Sequence, residues 1–175
     1  MLAECLMKQT LVDFEWVIVT RCLDFWDKKV IIPTNTTLIW EPKKREGDFY
    51  NLNKAWNAAF RHCSGDLIVN IVDFTWIPPN ALEKFWTNYE LNSKACISGI
   101  GHQYKDVVEG KPEGIVWRDP RARTDQGTFY RVWPTEMELC VASFPKQAVL
   151  DIGGFDEEFD KYAALSEKEA MYRAE

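Results

Sequence analysis

Asp66-Leu67-Ile68-Val69-Asn70-Ile71-Val72-Asp73 is an apolar, β-branched run between two aspartates, and it reads as the clearest strand in the chain. A strand that is apolar on successive residues, rather than on alternate ones, is expected to be covered on both faces. Just ahead of it, Leu52, Ala55, Trp56, Ala59, Phe60 and Cys63 recur at helical spacing. That spacing predicts an amphipathic helix over 52–63. Ser64-Gly65 follows, and the glycine is expected to close the helix in the left-handed conformation.

Toward the amino end, Thr36 to Trp40 and Asp13 to Thr20 read as two more strands. Asp24 to Ile32 reads as a short helix stopped by Pro33. Leu2, Cys5 and Leu6 place the end of an amphipathic helix over 1–8. Toward the carboxyl end, Asn80 and Glu83 resemble a capping box ahead of a stripe of Leu82, Phe85, Trp86 and Tyr89. Ala95 to Ile100 and Glu138 to Phe144 are further candidate strands. The stretch 101–134 is rich in glycine, proline and charge, with one possible strand at Gly114 to Trp117. Pro145 opens a short helix closed by Gly153-Gly154, and the tail after Leu165 is helical. Strands alternating with helices predict an α/β fold, a single domain over 1–175 whose mostly parallel sheet is flanked by helices.

Composition narrows the function. A formal net charge of −6 argues against nucleic acid as a partner. The Lys43-Lys44-Arg45 run reads as a solvated loop. The five cysteines form no Cys-x-x-Cys pair, which speaks against a zinc site and suits a reducing compartment. Eight tryptophans are a core-packing signal before they are a sugar-stacking one. No run approaches the ~20 apolar residues of a membrane span, and the amino end has no signal-peptide pattern. The expectation is a cytoplasmic protein, or a soluble piece of a larger one, with no membrane span and with an oligomer allowed.

In open α/β sheets, ligands bind beyond the carboxyl ends of the strands. Asp73, which ends the clearest strand, is therefore either a ligand for a cation on a diphosphate or the start of a turn. The helix from Asn53 to Cys63, the Ser64-Gly65-Asp66 turn, the strand ending in Asp73, and Ile152-Gly153-Gly154-Phe155-Asp156-Glu157 together resemble family 2 glycosyltransferases of the GT-A (Rossmann-like) type. The blocks stand in the family's order across roughly the whole chain.

The resemblance implies an inverting transfer from a nucleotide-diphospho-sugar to a hydroxyl of a glycan, polysaccharide or lipid-linked sugar. Asp73 matches the first aspartate of the family's Asp-x-Asp motif, where Mg²⁺ or Mn²⁺ is bound; the second position is Thr75, a poorer ligand. Counting back from Arg173-Ala174 puts Ser166-Glu167 on the motif of the catalytic base, so Glu167 would take the acceptor's proton, with Glu169 behind it. Asn57 keeps one residue of a donor-side motif whose arginine is replaced by Trp56. The family's nucleoside-binding turn reads Thr20-Arg21-Cys22-Leu23 here, and Asp24 would substitute for it. Asp156 and Glu157 fall on the acceptor side, as do Trp117, Arg118 and Arg121. The two arginines are read as a phosphate clamp, or as part of a structural pairing with Asp119. The family's sheet opens with a strand for which this sequence has no match, since Met1 falls within the helix that should follow, so a sheet truncated at the amino end is expected. Two other readings stand beside the transferase: a nucleotidyltransferase, and a non-catalytic module that binds nucleotide or sugar.

Overall fold

The computed structural model describes residues 1–21, 33–122, 131–133 and 136–162. The expected helix over 24–32, Asp24, the helical tail, Glu167 and Glu169 lie outside them. In chain order the elements are α1 (Leu2–Met7), β1 (Trp16–Thr20), β2 (Thr36–Trp40), α2 (Leu52–His62), β3 (Leu67–Ile71), α3 (Ala81–Leu91), β4 (Ile97–Ser98), β5 (His102–Val108), β6 (Lys111–Arg118), β7 (Val141–Pro145), α4 (Lys146–Asp151) and a 3₁₀ turn, Glu157–Lys161.

The fold is mixed α/β with small sheets. β1 and β2 run parallel, from Trp16 opposite Thr36 to Thr20 opposite Trp40. In a second sheet, β7 lies antiparallel between β3 and β4, with Ile71 opposite Val141 and Ser98 opposite Ala142. β5 and β6 form a separate hairpin. The described residues therefore do not build the mostly parallel sheet expected from the sequence. The reason is the connection before β7. Parallel entry requires a crossover from the opposite edge. Here the chain leaves at the carboxyl end of β4 and re-enters beside it, where the Gly99 amide donates to the Val141 carbonyl at 2.8 Å. A return from the same edge makes β7 antiparallel.

β3 is covered on both faces, as its composition requires. Ile68 packs with Trp56 and Phe60 of α2, Ala142 and Phe144 of β7, Val149 of α4, and Phe155. Val69 and Ile71 pack on the other side against Leu2, Cys5 and Leu6 of α1 and Ile77, Ala81 and Leu82 around the start of α3. Each large apolar side chain buried this way stabilises the fold by about 1.5–3 kcal/mol.

Several ends differ from expectation. α2 stops at His62 because Cys63 turns extended, and Gly65 is not left-handed. A distant carboxylate secures this end instead: Glu15 accepts from Ser64 N at 2.5 Å, Ser64 Oγ at 2.8 Å and Gly65 N at 3.1 Å. The expected capping box is absent, since the Asn80 side chain makes no cap bond and Glu83 accepts from Thr10 Oγ1 at 2.7 Å. Gln9 supplies the cap, accepting from Leu82 N at 3.0 Å while donating to the Cys5 and Pro78 carbonyls. Pro145 ends β7 rather than opening α4 from within. Gly153 and Gly154 do close α4 with positive φ.

The hairpin is longer than the single strand expected at 114–117. Its turn, Glu109-Gly110, has positive φ at both residues, the geometry that a two-residue hairpin loop demands. That pair was the readable signal in the sequence.

Candidate functional site

The carboxyl ends of β3 and β4 reach one edge, where β7 begins. Beyond Ile71, the Val72 amide donates to the Cys140 carbonyl at 3.0 Å, and the next turn is closed by Thr75 N donating to the Val72 carbonyl at 3.1 Å. Asp73 stands exposed in that turn and Thr75 is half-buried. Phe74, 74% exposed, projects between them. At the corresponding end of the other sheet, Arg21 follows β1 and grips Glu41 with two hydrogen bonds of 2.9 and 3.1 Å.

On the far side of the edge, the hairpin returns into a polar knot. Asp119 is 3% exposed. Its carboxylate receives Arg121 Nε at 2.9 and 3.1 Å and Arg121 Nη2 at 2.5 Å. Two further donors of that guanidinium go to the Glu136 carbonyl and to Glu138 Oε1. Arg121 holds the Asp119 carboxyl below its ordinary range against the opposing effect of burial, and Asp119 raises the guanidinium in turn. This is the structural arginine–aspartate pairing, with the guanidinium turned inward to fix the loop. His102 Nδ1 accepts from Asp119 N at 3.3 Å. Trp117 and Arg118 lie exposed on β6, opposite Gln103 and His102.

A second group gathers where α2 begins. Asn57 is 7% exposed, and its amide grips the backbone of Phe155: Nδ2 donates to the Phe155 carbonyl at 2.8 Å and Oδ1 accepts from Phe155 N at 2.9 Å. Gly154 is required beside it, since a Cβ there would lie 2.6 Å from Asn57 Oδ1. Glu157 accepts from Asn57 Nδ2 at 3.3 Å and from Arg45 at 2.9 Å, while the Asp156 side chain starts the 3₁₀ turn through Glu158 N. Lys43-Lys44-Arg45 is thus a docked loop on this segment as well as a solvated run.

Two features here were not read from the sequence. Asp160, 1% exposed, accepts from Asn53 N and Asn53 Nδ2 at 2.9 Å and from Lys54 N at 3.3 Å. Lys54 in turn pairs with Asp48, and both side chains are buried. Nothing in the sequence signalled them, since Asn51 stands at the start of α2 as an ordinary cap residue and only the structure shows its side chain turned elsewhere.

The structure thus joins Asn57 to Glu157 and Arg121 to Asp119, and leaves Asp73 at the open edge. Burial and the Glu15 carboxylate push the Cys63 thiol up to about 11, which removes it as a nucleophile at neutral pH. Among the described residues no three histidines, cysteines or carboxylates gather to hold a metal. Among the described residues Asp73 belongs to no such group. Among the described residues no helix is long and apolar enough to cross a membrane.

Three carboxylates held by hydrogen bonds predict an acid response. Hydrogen bonds from Lys54 hold Asp48 below its ordinary range, and Arg121 does so for Asp119. At Glu15 burial alone would raise the carboxyl, but the donors of Ser64 and Gly65 outweigh it. All three bind protons less readily folded than unfolded. Their stabilisation is therefore complete above the ordinary carboxylate range and is lost as the pH falls from about 4 through their lowered folded values. Tm is expected to stay level from about pH 8 to pH 5 and to drop below about pH 4. Lys54→Met, which removes the cation of Asp48, should lower Tm at neutral pH and make the acid drop shallower. A melting curve that declines between neutral pH and pH 5 would contradict this assignment.

Comparison with models of protein families and with curated proteins gives no match to this chain in either set.

Proposed function

We propose that this chain is an inverting glycosyltransferase of the GT-A type, moving a sugar from a nucleotide-diphospho-sugar to an acceptor hydroxyl. The observation that carries the reading is Asp73, exposed in the turn directly after the doubly covered strand β3. The Gly153–Glu157 segment supports it, being locked onto α2 by Asn57.

In this reading Asp73 faces the diphosphate of the donor. A Mg²⁺ or Mn²⁺ ion shared between Asp73 and the diphosphate would offset the charge that develops on the leaving group. Asn57 acts one step back, setting the position of Asp156 and Glu157 on the acceptor side. Asp119 and Arg121 fix the base of the hairpin whose strand β6 carries Trp117 and Arg118 toward the same edge. Glu167 is the proposed base for the acceptor hydroxyl, and Asp24 the proposed contact to the nucleoside.

Calorimetric titration with UDP, GDP and CDP, with and without Mn²⁺, tests the donor site. One nucleotide is expected to bind in a Mn²⁺-dependent manner, and Asp73→Ala should weaken it at least about tenfold, or ~1.4 kcal/mol. Binding that Asp73→Ala leaves unchanged would remove Asp73 from the site. A second reading, a binding module without turnover, is favoured by Thr75 standing where a second carboxylate would be. Glu167→Gln separates the two: the transferase loses turnover and keeps nucleotide binding, whereas the module has no turnover to lose.

A further inference from the structure

We infer that the β5–β6 hairpin is a strap, hinged above the knot of Asp119 and Arg121 and latched at its tip by Trp76, whose release loosens the turn that carries Asp73. This rests on how the hairpin is held and not on the transferase reading.

The hairpin is a sheet of its own. No residue of either strand is buried, and neither strand packs closely on any other described element. A two-stranded hairpin held only by its own ladder is marginally stable in water. Its position is therefore set by what holds its two ends.

The base is held firmly. Where the chain enters, the Gly99 amide is bonded to Val141, and a Cβ on Gly99 would lie 3.3 Å from the Val141 carbonyl oxygen. Where it leaves, Arg121 ties Asp119 to the Glu136 carbonyl and to Glu138. The first strand pair is His102 with Arg118. Just before it stand Ile100, 43% exposed, and Gly101, where a Cβ would meet nothing within 4 Å. That uncrowded pair is the hinge.

The tip is held lightly. Trp76 Nε1 donates to the Gly110 carbonyl at 2.8 Å. A cavity of about 50 Å³ remains beneath the tip, lined in part by Cys5, Lys8, Trp76, Ile77, Pro79 and Gly110. That is room enough for water, so water can replace the latch bond. At ~3.3 Å per residue, the seven residues of β5 make an arm of about 23 Å. A small rotation at Gly101 therefore lifts the tip clear of Trp76.

The latch reaches Asp73 through the backbone. Trp76 follows Thr75, whose amide closes the turn of Asp73 on the Val72 carbonyl at 3.1 Å. The indole also packs against the cluster of α1, Ile77 and Leu82. One side chain thus holds the strap down and the turn in place.

Amide exchange followed by NMR on the full chain tests the strap, with Trp76→Phe as the variant that keeps a ring and removes the donor. In the parent, β5 and β6 are expected to exchange together, and faster than β3 and β7. In Trp76→Phe, their exchange and that of the Thr75 amide should speed up about fivefold, the effect of one neutral hydrogen bond, while β3 and β7 keep their rates. Hairpin amides that exchange at the rate of β3, or that Trp76→Phe leaves unchanged, overturn the strap. Equal acceleration of every element overturns the latch, since the bond then belongs to the core. A faster hairpin with an unchanged Thr75 amide overturns the link to Asp73.

Discussion

Asp160→Ala is expected to lower stability by about 3–5 kcal/mol and Tm by on the order of 10 °C. Asp160 performs from a distance what a capping residue usually performs locally. The amides it receives, those of Asn53 and Lys54, belong to the first turn of α2, where no intrahelical acceptor exists. The adjacent cap residue, Asn51, has turned its side chain to Glu41 and the Pro42 carbonyl. Alanine would leave two buried N–H groups and one side-chain amide without acceptors. Each orphaned group costs about 1–3 kcal/mol, against a total stability of about 5–15 kcal/mol for a domain. Asp160→Asn keeps the shape and one acceptor oxygen and should lose less. Thermal denaturation followed by circular dichroism decides the matter; a shift of Asp160→Ala within about 2 °C of the parent would mean that water replaces the carboxylate at no cost.

Phe155→Ala should be of similar size, about 3–5 kcal/mol, through packing. The Phe155 ring lies 4.8 Å from Trp56, 5.6 Å from Phe60 and 6.2 Å from Phe144, centroid to centroid. It is the ring where α2 and β7 meet the segment that carries Asp156 and Glu157. Truncation opens a cavity at that junction, and Asn57 continues to hold the backbone on either side of it, so collapse into the cavity is restrained. Phe155→Leu keeps most of the volume and should cost less than half as much. Urea unfolding should show a lower midpoint with an unchanged slope. An unchanged midpoint would refute the role assigned to this ring.

The elements that declared themselves in the sequence were those whose signal is local. α2 showed itself by helical spacing from 52 to 63, and β3 by its doubly covered run. Of the α2 stripe only Trp56 and Phe60 are buried, and the buried face takes in Asn53, Lys54 and Asn57 as well. The direction of β7 was not legible, because it depends on which edge the chain returns from and not on Val141 to Pro145 themselves. The hairpin hid for a different reason. Most of β5 and β6 is exposed on both faces, so no alternation of apolar and polar residues marks them. Ends settled by distant partners were equally hidden: Glu15 replaces the glycine cap expected at Gly65, and Asp160 lies 107 positions from Asn53. At the site, the resemblance selected Asn57 as a donor contact, whereas the geometry occupies its amide with Phe155. The exposed position of Asp73 was legible from its place after β3 alone.

The contact between Gly99 and Val141 bears on how this domain can vary. Because the sheet is left and rejoined at points one hydrogen bond apart, everything between them is an excursion whose ends are already closed. Lengthening such an excursion costs only about 0.6 kcal/mol per doubling. The knot of Asp119 and Arg121 anchors its base, and the bond from Trp76 Nε1 to the Gly110 carbonyl anchors its tip. Trp117 and Arg118 therefore ride on a replaceable module, while Asp73 and the Gly153–Glu157 segment belong to the frame, so the hairpin can change in length while the frame keeps its shape.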